Sequence, residues 1–145
     1  MSDPTAAERR AVAFRATREA HSTEMAEDYV ELIGELIAER GEARVTDLAE
    51  HMGVAQATAA KVVQRLKGLG LVQSRPYRSI FLTVSGEAIA SRSRKRHQLV
   101  VEFLLALGVS PQNAEIDAEG IEHHASDETL ARMARKTSEW TAGKT

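Results

Sequence analysis

Glu119-Gly120-Ile121-Glu122-His123-His124 is the stretch of this chain richest in groups that can do chemistry. On a helix, Glu119, Glu122 and His123 stand at i, i+3 and i+4, so two carboxylates and an imidazole project from one face. Such a face packs poorly into a core, but it makes part of a coordination shell for a divalent cation. The plain alternative is a solvated acidic surface, and the choice depends on donors arriving from elsewhere. Asp28 and Glu31 are three apart on a segment of helical spacing and share a face; taken alone, that pair reads as ordinary surface charge. His97 stands where a basic stretch turns apolar, a place where a lone histidine is ordinarily satisfied by a neighbour. His124 points about 100° away from His123 around the helix and is left out of the donor face.

The segments that must position these residues are mostly helical. Residues 1–21 are polar and rich in Ala and Arg, with Pro4 near the start. They are expected to form a flexible N-terminal arm that turns helical only toward its end. Over residues 22–40, Met25, Tyr29, Leu32, Ile33, Leu36 and Ile37 recur at helical spacing, and Gly41 is a natural stop. A short helix capped by Thr46 would bury Leu48, Ala49 and Met52 and end at Gly53. The next, over residues 56–68, would bury Val62, Val63, Leu66 and Leu69. Residues 71–83 read as two strands around a basic turn. A long helix is expected from Ser85 to Leu107, with Gly108 behind it. Ser110-Pro111 then supplies an N-cap and a proline at the first helical position for the helix carrying Glu119, Glu122 and His123. Ser126-Asp127-Glu128 opens a last helix toward Trp140.

A short helix, a turn containing glycine, a helix bearing Lys61, Arg65 and Lys67, and then two strands make a winged helix-turn-helix pattern. The charge distribution agrees with it. Residues 44–96 carry a net charge of +7, between flanks of -5 and -4, although the whole chain is only -2. A basic module between acidic flanks suits a nucleic-acid partner. The early, exposed part of the second helix holds Gln56, Thr58 and Lys61, which can reach base edges in the major groove. Lys61, Arg44, Arg65, Arg75 and Arg78 equally suit phosphates, contacts that position a protein without reading sequence. Each basic residue alone reads as solvated charge; the 44–83 unit together predicts binding to double-stranded DNA. Ala55, Ala57, Ala59 and Ala60 leave few side chains there for base reading, so no operator sequence is derived.

Composition removes several classes. With Cys 0 there is no disulfide, thiolate zinc site or cysteine nucleophile. No apolar run approaches the roughly 20 residues of a membrane span. The opening MSDPTAAERRAV lacks an apolar secretory region, so a cytoplasmic location is expected. No nucleophile–base pair or glycine-rich phosphate loop is present, and no enzymatic activity is expected.

Four separated pieces together resemble the diphtheria-toxin-repressor family of metal-dependent transcription factors, most closely its manganese-sensing branch. They are Glu27-Asp28-Tyr29-Val30-Glu31, the winged helix at residues 43–83, Arg96-His97-Gln98-Leu99 with Glu102-Phe103-Leu104, and Ala118-Glu119-Gly120-Ile121-Glu122-His123-His124. The resemblance spans residues 22–135. It implies a mainly α fold, with an N-terminal winged helix-turn-helix domain over residues 22–84 and a C-terminal helical metal-binding and dimerisation domain over residues 85–145. It implies that Asp28, Glu31, His97, Glu119, Glu122 and His123 hold manganese, Mn(II), two ions per subunit, with Fe(II) or other divalent ions as competitors. Iron-sensing relatives carry methionine where this chain has Asp28, and Met25, three positions earlier, is not that residue. Oxygen and imidazole donors without sulfur suit a hard ion. The implied partners are double-stranded operator DNA and a second copy of the chain as a homodimer, with no membrane and no small organic ligand. The implied function is a manganese-responsive DNA-binding regulator that represses manganese uptake genes when Mn(II) is bound.

Two other classes compete with this one. A carboxylate-bridged dinuclear enzyme of the ferritin type needs Glu-x-x-His on two helices and carboxylates from two more, a paired motif this chain lacks. The stronger alternative is a metal-independent winged-helix regulator that senses another ligand through its C-terminal helices.

Overall fold

The computed structural model of the chain describes residues 2–75 and 79–143. Among the described residues the order is α1 (Ala6–Arg40), α2 (Val45–Met52), α3 (Gln56–Gly68), β1 (Val72–Ser74), β2 (Ile80–Leu82), α4 (Val84–Leu107), α5 (Pro111–His124) and α6 (Asp127–Ala142). Two compact units result: Met25–Lys95, and a second made of Met1–Glu24 with Arg96–Thr145. The division between units falls within α4. Among the described residues no helix is long and apolar enough to cross a membrane.

In the unit Met25–Lys95, Tyr29, Val30, Ile33 and Leu36 of α1 are buried with Leu48 and Ala49 of α2 and Ala59, Val63 and Leu66 of α3. The α3 residues stand at i, i+4 and i+7, so the small Ala59 takes the core place that Leu69 was expected to hold. Leu69 is the C-cap residue of α3 and is exposed. Met25 is exposed as well, because the packed face of α1 runs through Ala26 and Val30 instead. The cap of α2 also differs from expectation. Arg44 is the N-cap, its N–H donating to Asp47 Oδ2 at 3.1 Å, while Thr46 lies inside the helix. Gly53, at φ 67°, closes α2 in the left-handed conformation, with the Val54 N–H donating to Ala49 O; this is the turn between the two helices.

The wing is an antiparallel pair in which Val72 faces Leu82, Gln73 faces Phe81 and Ser74 faces Ile80. The Ile80 N–H donates to Ala43 O at 2.8 Å and ties the pair to the link before α2. Gly86, in the first turn of α4, lies so close to the wing that a Cβ there would sit 2.1 Å from Leu71 O. Only glycine fits.

In the other unit, Val100 and Leu104 of α4 pack with Ala114 and Ala118 of α5 and Leu130 of α6. The alanines let α5 lie close against α4. Ser110 and Ser126 cap α5 and α6 as the sequence indicates, accepting from the Asn113 N–H at 3.3 Å and the Thr129 N–H at 3.2 Å. Phe103 stacks on Trp140 with centroids 5.7 Å apart. The stretch expected to be a flexible arm is helical from Ala6. The cause is local: the Thr5 N–H donates to Glu8 Oε2 at 2.7 Å and the Glu8 N–H to Thr5 Oγ1 at 3.1 Å, a capping box ahead of strong helix formers.

Candidate metal centre

α5 presents Glu119, Glu122 and His123, and α4 presents His97 toward them. His97 Nδ1 lies 3.4 Å from Glu119 Oε1 and 3.5 Å from Glu122 Oε1. His123 Nε2 lies 3.5 Å from that same Glu122 oxygen. One donor atom each from His97, Glu119 and Glu122 fall within 4.8 Å of one another, the spacing of a coordination shell. Asp28 and Glu31 stand three apart on α1, partly buried, in the unit Met25–Lys95. Of the six donors read from the sequence, the structure thus brings three, His97, Glu119 and Glu122, within reach of one ion, with His123 beside Glu122 and within 4.8 Å of Glu24 in the same unit.

Burial separates the four. The Glu122 side chain is 1% accessible, whereas that of Glu119 is 56%. A carboxylate taken out of water needs cationic or hydrogen-bonding company, because its lost hydration costs several kcal/mol. That company includes two imidazoles, and the donor set of carboxylate oxygen and imidazole nitrogen, without sulfur, fits a divalent cation. His97 titrates above the usual imidazole range. Burial works against its charged form, but the hydrogen bond to Glu115 and the charges of Glu119 and Glu122 outweigh it.

Glu115 is a residue that sequence reasoning missed. Its Oε2 stands 2.7 Å from His97 Nε2. A carboxylate only accepts, so Nε2 carries the proton in this bond and the neutral ring leaves Nδ1 as its lone-pair donor, facing Glu119 and Glu122. The signal was legible: Glu115 stands four residues before Glu119, on the same face of α5. The end of α5 is held by Arg96, whose guanidinium donates to Ala125 O at 2.8 Å.

On α3, Gln56, Thr58, Lys61 and Arg65 are all exposed, with Thr58, Lys61 and Arg65 at helical spacing. Arg44 is exposed and its Nε donates to Glu42 Oε1 at 3.2 Å. Arg75 lies over the Phe81 ring, 4.3 Å from its centroid, which holds a cation at the wing. Arg78 lies outside the described residues.

Residues 21–80 match the iron dependent repressor, N-terminal DNA binding domain. Residues 83–141 match the iron dependent repressor, metal binding and dimerisation domain. The chain is similar to transcriptional regulator MntR of Salmonella typhimurium, 57% identical over 117 residues that cover 81% of this chain and 74% of that one. This chain belongs to the diphtheria-toxin-repressor family, in its manganese-regulator branch. Another relative in that branch, HTH-type transcriptional regulator MntR of Lysinibacillus sphaericus, is 41% identical over 108 residues, covering 74% of this chain and 78% of that one. Among solved structures of the family, a manganese-dependent transcriptional repressor in complex with manganese aligns with a TM-score of 0.68 at 32% identity, over 78% of this chain and 52% of that one. The manganese regulator SloR aligns with a TM-score of 0.68 at 29% identity, over 78% of this chain and 53% of that one. This chain therefore spans about half the length of those two solved regulators.

Proposed function

We propose that this chain is a manganese-responsive DNA-binding transcriptional regulator that represses manganese uptake genes when Mn(II) is bound. The observation that carries the reading is Glu122, a carboxylate 1% accessible with His97 and His123 beside it and Glu119 at the rim. Membership of the family supports a metal-responsive DNA-binding repressor. In this reading Asp28 and Glu31 complete the ligand set, two Mn(II) ions bind per subunit, and Fe(II) is the principal competitor. Four carboxylates among six donors favour a hard ion, and preference within the divalent series rests on geometry, since Mn(II) binds most weakly there.

Asp28, Glu31, Glu119 and Glu122 would hold the cation together with His97 and His123, and the cation would supply positive charge against the four carboxylates. Glu115 keeps His97 turned with Nδ1 toward the donors. Glu122, buried, is held in one place, while the exposed Glu119 is free to adjust. In the unit Met25–Lys95, Gln56, Thr58 and Lys61 meet base edges, and Arg44, Arg65, Arg75 and Arg78 meet phosphates. The partner is double-stranded operator DNA, engaged in the cytoplasm by a homodimer, with no small organic ligand required. Metal and DNA affinities are coupled reciprocally, so operator DNA tightens manganese binding by the factor that manganese tightens DNA binding.

The test is fluorescence anisotropy on DNA from a manganese-uptake promoter at fixed salt, with and without Mn(II). Salt must be held constant because phosphate contacts make affinity steeply salt-dependent. The parent is expected to bind only with Mn(II), His97→Gln to lose that response, and Asp28→Met to change metal preference. Equal binding by the parent with and without Mn(II) would return the protein to the metal-independent winged-helix class.

A further inference from the structure

A second cluster of metal-capable side chains lies outside the six donors. His21 and Glu24, three apart on α1, meet His124, the last residue of α5, within one compact unit. His124 Nε2 stands 3.1 Å from Glu24 Oε2, and His21 Nδ1 stands 3.4 Å from the same oxygen. The two imidazoles lie edge to face, centroids 4.8 Å apart at 80°. One donor atom from each of the three side chains falls within 4.8 Å of the other two.

We propose that His21, Glu24 and His124 form a second site for a zinc-like divalent cation, bordering the first, since a Glu24 oxygen also lies within 4.8 Å of a His123 nitrogen. Two imidazoles and a carboxylate are a donor set that tetrahedral zinc takes, with water in the fourth position. With bonds of about 2.0 Å, neighbouring donors of a tetrahedral ion stand about 3.3 Å apart. The separations of 3.1 and 3.4 Å already meet that requirement. The remaining edge, between the two imidazole nitrogens, closes by rotation of the His21 side chain, which is 68% accessible.

The chemistry of this cluster differs from that of the buried one. Two of its three donors are imidazoles, against two of six there. Imidazole suits zinc, copper and nickel, and the divalent series places manganese last. Zinc therefore prefers the peripheral cluster more strongly than manganese does. Bound there, the ion fastens the first half of α1, exposed over residues 2–19, to the end of α5.

The test uses the full chain stripped of metal by chelation, then titrated with Zn²⁺ against a chromophoric chelator, and separately with Mn²⁺. Co²⁺ serves as a spectroscopic probe of tetrahedral coordination. His21→Ala is the main variant, because that residue is exposed and the variant's circular dichroism is expected to match the parent's; His124→Gln is the second. The parent is expected to hold one more equivalent of Zn²⁺ than either variant, or to hold that equivalent at least about 10-fold more tightly, the lower bound of what even an outer-shell partner is worth. The visible bands of tetrahedral Co²⁺ should weaken with it. Manganese equivalents should match the parent in His21→Ala. Zinc binding unchanged in both variants would overturn the proposal. So would loss of a manganese equivalent in His21→Ala, which would place His21 in the other site.

Discussion

Two regions of the molecule assemble the same kinds of donor under opposite conditions. At His97, two carboxylates converge on Nδ1 at 3.4 and 3.5 Å, and one of them, Glu122, is 1% accessible. At Glu24, two imidazoles converge on one oxygen at 3.1 and 3.4 Å, and all three side chains keep a quarter or more of their surface. The difference is what an empty site costs. Water solvates the peripheral cluster whether or not an ion is present. In the central cluster the Glu122 charge has been removed from water, so its stabilisation comes from neighbours, the two imidazoles among them, and a cation would add to it. Binding at the central site is therefore coupled to the order of the protein more strongly than binding at the rim.

The largest expected effect breaks the centre. Glu122→Gln should weaken Mn(II) binding by more than about 100-fold, above the range that outer-shell partners are worth, and abolish Mn(II)-dependent operator binding in anisotropy. Next in size is Glu115→Gln, expected to weaken Mn(II) about 10- to 100-fold by releasing His97, with no change in chelator melting. Isothermal titration separates it from an uninvolved surface glutamate.

A third outcome concerns stability. Mn(II) at 100 times its Kd should stabilise the parent by about 2.7 kcal/mol in thermal melts, and chelation should reverse this. His97→Gln should show little of that gain. Smaller still is Lys61→Ala, expected to weaken operator binding evenly across sequences and lower the salt slope by about 1. The smallest effect sharpens the contrast from the other side. His21→Ala should leave Mn(II)-dependent operator affinity within about twofold, as surface substitutions do, while changing zinc binding.

Much of this was legible from local signals. Ser110-Pro111 and Ser126 announce two helix starts, and both caps form. The 3.6-residue period of Glu119, Glu122 and His123 places them on one face, and Val63 and Leu66 are buried as their spacing indicates. The misses differ in cause. Whether Met25 or Leu69 is buried depends on which neighbour covers that turn, and periodicity alone does not name the neighbour. Arg44 caps α2 through the Asp47 carboxylate, where the presence of Thr46 suggested a commoner cap. The helix before residue 22 was missed because its capping box, Thr5 to Glu8, precedes an Ala- and Arg-rich run without an apolar stripe.

The amino-acid order by itself determined the types of the candidate donors, their positions along α5, the basic winged-helix segment and the absence of cysteine. These follow from helical geometry and side-chain chemistry, which act over a few residues. Only the tertiary structure decided that Glu122 is buried while Glu119 stays at the rim, and that Glu115 turns His97. It alone decided that His124 meets His21 and Glu24 about a hundred positions away in the chain. The physical reason is that burial and long-range convergence depend on how helices pack. α5 approaches α4 closely because Ala114 and Ala118 are small, and that contact sets which carboxylates lose their water.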